Sequence, residues 1–125
     1  MSDTNALRPF AFVLAVPNME SSAAYFRDVL GFDVEWTDAS DWRLVSRGSV
    51  RIMLGNCPNS LLPSATGDHS YFGYLEVDEL DSLHEEFARK GAIILEPPTR
   101  RPYGMREFVV ATPDGHRFVV GCVSR

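Results

Sequence analysis

The stretch Val16-Pro-Asn-Met-Glu-Ser-Ser-Ala-Ala-Tyr-Phe-Arg-Asp-Val-Leu-Gly31 decides how this chain is read. Val16 closes an apolar, extended run, and Pro17 and Asn18 break it. Ala23, Phe26, Val29 and Leu30 then recur at helical spacing, with Arg27 and Asp28 on the outward side. Asn18 suits the helix N-cap, where a side-chain oxygen accepts a free backbone N–H, and Glu20 suits the positive end of the helix. Gly31 stops it. The same order of signals returns at Val77-Asp-Glu-Leu-Asp-Ser-Leu-His-Glu-Glu-Phe-Ala-Arg-Lys-Gly91, where Leu80, Leu83, His84 and Phe87 mark the helix. Val16 matches Val77, Ser21 matches Ser82, Phe26 matches Phe87 and Gly31 matches Gly91, an offset of about 61 residues, or half the chain. One strand–helix–strands unit is used twice.

Around these helices lie the strands. Residues 10–16 read as the first, and the clean alternation of 32–36 as a half-buried second. A turn at 38–41 leads to strands 42–46 and 50–54, separated by Arg47-Gly48. In the second half the strands are 70–77, 92–95, 105–112 and 116–123. The segment Glu-Pro-Pro-Thr-Arg-Arg-Pro at 96–102 is excluded from a strand interior, because its prolines lack donors. The last two strands form a hairpin around Pro113-Asp114-Gly115, since Asp-Gly is a strong hairpin signal, and the pairing below is the one that holds if Asp114-Gly115 is a two-residue turn. The organisation is one α+β domain, 1–125, of two βαβββ units over 9–55 and 70–123, joined by a connector at 56–69. Structureless connectors of that length are usually functional or mobile.

Composition bounds the function. A chain of 125 residues buries a core without metal or disulfide staples. Seventeen acidic against twelve basic residues give −5, which argues against nucleic acid as a partner. No apolar run is long enough to span a membrane. The opening MSDTNALRPF lacks the basic and apolar regions of a signal peptide, so a cytoplasmic location with Cys57 and Cys122 reduced is the expectation.

Period-two parity sorts the strand side chains into faces. Phe10, Phe12, Leu14 and Val16 oppose Ala11, Val13 and Ala15. Val50, Ile52 and Leu54 oppose Arg51 and Met53, and Tyr71, Gly73, Leu75 and Val77 oppose Phe72, Tyr74 and Glu76. A two-residue turn pairs Thr112 with Arg117. It puts Arg106, Phe108, Val110, Arg117 and Val119 on one face, and Glu107, Val109, Ala111, Phe118, Val120 and Cys122 on the other. One face of each strand is then nearly all apolar and suits a helix-covered layer. The second mixes Met53, Phe72, Phe108 and Val119 with Arg51, Tyr74, Glu76, Arg106 and Arg117. Charged groups are seldom buried unpaired, so this face predicts a curved, partly wet cup, the default place for a ligand. The bland alternatives are solvent contact at strand ends for Arg106 and Arg117, and a structural ion pair for Glu76. His69, His84 and His116 have no metal-ligand spacing and read as surface residues.

The two βαβββ halves, the helix stretch Asn18-Met-Glu-Ser-Ser-Ala-Ala-Tyr-Phe-Arg-Asp-Val-Leu-Gly-Phe32, Leu75-Glu-Val-Asp-Glu-Leu-Asp81 and the turn Pro113-Asp-Gly-His-Arg-Phe118 resemble the vicinal oxygen chelate superfamily. That superfamily holds glyoxalase I, extradiol dioxygenases and bleomycin-resistance proteins. Pro102-Tyr-Gly-Met-Arg-Glu-Phe108 is similar to the Gly-Arg-Glu-Phe segment of the bleomycin-resistance branch. The resemblance implies paired modules rolled into a mixed-sheet cup with helices outside, and commonly a homodimer that completes the cup from two chains. Its enzymes hold a divalent metal with His, Glu or Gln at four strand positions, here Ala11, Met53, Phe72 and Val119. None is an N/O ligand, and Met53 offers only a soft thioether.

The reading that results is a binding protein without metal or other cofactor, sequestering a small aromatic molecule, neutral or anionic. Trp36, Trp42, Phe72, Tyr103 and Phe108 would supply flat apolar surface, with Arg106 orienting a carboxylate, phosphate or carbonyl. Met53, Arg51, Tyr74 and Glu76 complete the candidate set. For Trp36 and Trp42 the bland alternative is cross-strand packing. Two enzyme readings stand beside this one: a metal-dependent lyase or dioxygenase, and a metal-free enzyme using Glu76 or Tyr74 as acid or base.

Overall fold

The computed structural model describes residues 4–66 and 70–124. His69 and the last part of the connector lie outside them. In chain order the elements are β1 (Phe12–Val16), α1 (Met19–Asp28), β2 (Asp33–Glu35), β3 (Trp42–Arg47), β4 (Val50–Asn56), β5 (Tyr71–Glu76), α2 (Leu80–Arg89), β6 (Ile93–Arg100), β7 (Met105–Ala111) and β8 (Arg117–Val123). A short 3-10 helix, Pro63–Thr66, interrupts the connector. The first module forms a sheet of order β1-β4-β3-β2 and the second repeats it as β5-β8-β7-β6. In each, the first strand runs parallel to the last and the other pairs are antiparallel. This is the expected α+β arrangement of two βαβββ units.

The local reasons are those read from the residues. Asn18 caps α1, its side-chain oxygen accepting the Ser21 N–H at 3.0 Å. Phe26 and Ala23 face inward, while Arg27 and Asp28 lie outside and bond to each other. Leu80 and Phe87 are the buried anchors of α2.

A single core gathers both modules. Leu14, Val16, Val45, Ile52 and Leu54 of the first sheet share it with Phe108, Val110, Phe118 and Val120 of the second, and with Phe26 and Phe87 of the two helices. One face of each sheet is thus covered, and the opposite faces point outward from the common core. Polar contacts clasp the junction. The Tyr25 hydroxyl donates to the Ala111 carbonyl at 2.9 Å and accepts the Ile93 N–H at 3.1 Å. The Ser22 hydroxyl donates to Asp114 at 3.0 Å. Arg47 reaches from β3 to Glu86 on α2 at 2.6 Å.

Four expectations are corrected here. First, β6 runs through Pro97 and Pro98. It is the edge strand, and its register shifts between Ile94 and Glu96 and again between Glu96 and Thr99, so the prolines interrupt no continuous ladder. Second, the last hairpin has a three-residue loop. Thr112 and His116 close it, the Gly115 N–H donates to the Thr112 carbonyl at 2.9 Å, and Gly115 sits at φ +96°, the left-handed closure such loops require. Ala111 therefore pairs with Arg117 and Phe108 with Val120. This one-residue slip carries Phe108 and Val110 into the core beside Phe118 and Val120, and leaves Glu107, Val109, Arg117 and Val119 on the open face. Third, an irregularity between Tyr71 and Gly73 turns Phe72 inward. Fourth, His116 is buried against the Ala15 carbonyl at 3.1 Å and is not a surface residue, while His84 is half-buried and packs edge-on against Phe108 with ring centroids 5.2 Å apart.

Tyr25→Phe removes both Tyr25 bonds and leaves the part-buried Ala111 carbonyl without that partner. Urea unfolding is expected to show a loss of about 1–3 kcal/mol at unchanged slope.

Candidate functional site

The open face of the first sheet is built on rows of paired residues. Val13, Met53, Leu44 and Glu35 lie side by side across β1, β4, β3 and β2. Trp42 pairs with Gly55 in the next row and lies flat across it: a Cβ on Gly55 would come within 3.0 Å of the indole. Val13 is exposed and Trp42 partly so, giving a platform of thioether, valine and indole. Arg51 stands at one end, with its guanidinium 5.4 Å from the Phe10 ring centroid.

The second sheet repeats this plan with different chemistry. Tyr74 pairs with Val119, and Val119 with Val109; Glu76 pairs with Gly121, and Gly121 with Glu107. The Tyr74 ring crosses Gly121, where a Cβ would fall 2.1 Å from the hydroxyl. Glycine at that position lets the phenol reach Glu107, donating to Oε2 at 2.7 Å. From the β6–β7 loop, Tyr103 donates to Glu107 Oε1 at 2.5 Å, and Arg101 Nε donates to the same oxygen at 3.2 Å while its Nη2 pairs with Glu96. Glu107 is only 5% exposed, whereas Tyr74 is 46% and Tyr103 64% exposed.

Burial pushes the Glu107 carboxyl upward, but the bonds from Tyr103, Tyr74 and Arg101 together outweigh it and hold the group below the ordinary carboxylate range. The Tyr74 hydroxyl, tucked against the sheet although its ring edge is exposed, is pushed well above the usual tyrosine value by desolvation and then by its bond to Glu107. Tyr103 is raised chiefly by the same carboxylate.

Of the residues expected to face a ligand, Met53, Trp42, Arg51, Tyr74 and Glu76 are on the open faces, and Tyr103 borders one of them. Trp36 follows β2 in a left-handed conformation, φ +62°, and is 40% exposed. Three expected residues are elsewhere. Phe108 is fully buried, 6.1 Å from Phe87 between ring centroids. Phe72 packs on Phe12 and Phe118 at 5.7 and 5.6 Å. Arg106 shares the covered-side parity of Phe108 and pairs with Asp81 of α2 at 2.6 Å. Glu107, Arg101 and Glu96 were missed. The signal for Glu107 was a lone acid in an apolar strand, but its face depended on the turn length.

Within one chain, the positions at which the resemblance implies a metal are not gathered on one face. Ala11 precedes β1, Phe72 is turned into the core, and Met53 and Val119 belong to different sheets. On the open rows their neighbours are Val13 and Tyr74. Two valines, a thioether and a phenol do not fit the hard or borderline ions of that chemistry. Among the described residues no group of three or more His, Cys, Asp and Glu is placed to hold a metal ion.

Two βαβββ modules of like topology, each with one covered and one open sheet face, define the class. The chain belongs to the Glyoxalase/Bleomycin resistance protein/Dioxygenase superfamily, whose family model matches residues 8–120. A comparison with curated protein sequences found no match. Among solved structures, the fold is similar to the bleomycin-binding protein from bleomycin-producing Streptomyces verticillus complexed with copper(II)-bleomycin. That likeness has TM-score 0.72 at 24% identity and covers 96% of this chain and 98% of that one. It is also similar to TioX from Micromonospora sp. ML1, with TM-score 0.70 at 18% identity, covering 94% and 99% of the two chains. VPC_CASS1, from the mobile metagenome of V. Pseudocholerae, gives TM-score 0.73 at 21% identity over 99% and 100%. At these identities the likeness is one of fold. Membership is compatible with small-molecule binding at the level of the family. Among the described residues no helix is long and apolar enough to cross a membrane.

The depressed Glu107 value contributes stability that is fully present above the unfolded-chain glutamate value of about 4.3 and is lost as pH falls through the folded value. Glu107→Gln is therefore expected to cost about 1–3 kcal/mol at neutral pH. The gap to the parent protein narrows in acid, as read by urea unfolding at several pH values.

Proposed function

We propose that this protein is a non-catalytic binding protein that sequesters a planar aromatic molecule and works as a homodimer. The observation that carries the reading is the pair of open faces. Each sets exposed aromatic surface on a sheet whose other side contributes to the common core: Trp42 with Met53 and Val13 on one, Tyr74 with Tyr103 on the other. Large exposed apolar surface with a few polar groups is the mark of a ligand or protein interface.

Within one chain the two faces point away from their shared core. A second copy would lay the first-sheet face of one chain against the second-sheet face of the other and enclose a ligand from both sides. The solved relative from Streptomyces verticillus, complexed with copper(II)-bleomycin, supports ligand capture on this fold. The expectation of an anionic ligand loses its main support, since Arg106 is engaged with Asp81 on the covered side and Glu107 has taken a place on the open one.

The test is a thermal-shift screen of planar aromatic antibiotics and dyes, followed by calorimetry and sedimentation. A ligand at 100 times its Kd is expected to add about 2.7 kcal/mol of stability. The protein should sediment as a dimer at micromolar concentration, and Trp42→Ala should weaken binding about tenfold or more. A monomer that no planar compound stabilises contradicts the proposal.

A further inference from the structure

The Glu107 cluster also fixes which way the two phenols face chemically. An ionised carboxylate only accepts hydrogen bonds. Both oxygens of Glu107 are in use, Oε2 by the Tyr74 hydroxyl and Oε1 by the Tyr103 hydroxyl and Arg101 Nε. Each phenol hydrogen is committed to the buried acid. What Tyr74 and Tyr103 offer to the open face is oxygen lone pairs alone. Glu76, two residues along β5 from Tyr74 on the same face, adds a further acceptor. The cation within the cluster, Arg101, sets its Nε on Glu107 and its Nη2 on Glu96.

We infer that this face selects planar ligands carrying hydrogen-bond donors, such as an amine, an amidine or a ring N–H, and that Glu107 is the positioning residue that imposes the choice. The inference rests on the planar-ligand reading above and names the ligand class for the same site. Glu107 acts through Tyr74 and Tyr103 and is itself too buried to be the main contact. An acceptor-only ligand of the same size would meet lone pair against lone pair. Unpaired polar groups at a desolvated contact are costly, which is how a site of this kind rejects an analogue lacking the donor. Arg117 and Arg51 lie at other places on the two faces, near Tyr71 and Phe10 respectively, and supply the competing outcome.

Two probes of equal ring size separate the cases. At neutral pH 9-aminoacridine is a planar donor and cation, and anthracene-9-carboxylate is a planar acceptor and anion. Calorimetry on the full chain is expected to show 9-aminoacridine binding at least tenfold more tightly. Glu107→Gln places an amide N–H2 against one phenol oxygen and turns that phenol's hydrogen outward, so the ratio of the two affinities should fall at least tenfold. Glu107→Gln also removes a negative charge, which by itself shifts the ratio of two oppositely charged probes, so the deciding readout is a variant that changes no charge. Tyr74→Phe, at a partly exposed position, keeps the ring and removes the oxygen. It should lower the ratio in the same direction even if Glu107→Gln fails to fold. Tighter binding of the carboxylate by the parent protein overturns the inference while the planar-ligand reading stands. A ratio unmoved in Tyr74→Phe also overturns it, whatever Glu107→Gln does. If the parent protein binds neither probe, both fall together.

Discussion

The residue parity of two sheets that share one core governs everything else in this molecule. Because successive side chains alternate, the count of residues in a single turn decides which of them meet the helices and which meet solvent. The three-residue loop between Thr112 and His116 makes that decision for β7 and β8. It sends Phe108 and Val110 inward and leaves Glu107 outward beneath Tyr74 and Tyr103. Gly121 then makes room for the tyrosine ring, as Gly55 does for Trp42 in the matching place of the first module. The duplicated frame thus carries two aromatic shelves over glycine floors, one apolar and one organised around a buried acid.

Much of this was legible in the sequence because it depends on local signals. The two helices, the cap at Asn18 and the repeat followed from spacing that tertiary context did not disturb, and the family from the resemblance those stretches carry. So did the open-face positions of Met53, Arg51, Tyr74 and Glu76, since Val50–Asn56 is regular and the end of Tyr71–Glu76 lies beyond its irregularity. What could not be read were the features that reset parity. Asp-Gly looks the same in a two-residue turn as in a loop begun by Pro113, and nothing at Tyr71-Phe-Gly73 marks the shift that turns Phe72 inward. The prolines of β6 were excluded by a rule that holds for central strands, and only the topology places this strand at an edge.

These corrections change the chemistry more than the fold. With Arg106 on the open face, the site would have read as a receptor for anions. With Glu107 there, a desolvated carboxylate stands among donors that satisfy it, an arrangement that apolar residues could replace with little loss of stability. Such groups serve specificity better than stability, which is the role assigned to Glu107 here. The donor set at the superfamily's metal positions, by contrast, is poor in either register, because Met53 and Val119 keep the same side chains whichever strand they pair with.

A proton NOESY spectrum of the folded protein reads the parity of β7 directly. The account predicts cross-peaks from the Phe108 ring to Phe87 and His84, whose ring centroids lie 6.1 and 5.2 Å away, and none from Phe108 to Tyr74 or Tyr103. Cross-peaks joining Phe108 to either tyrosine would contradict it, because they would return the aromatic ring to the open face and remove Glu107 from it.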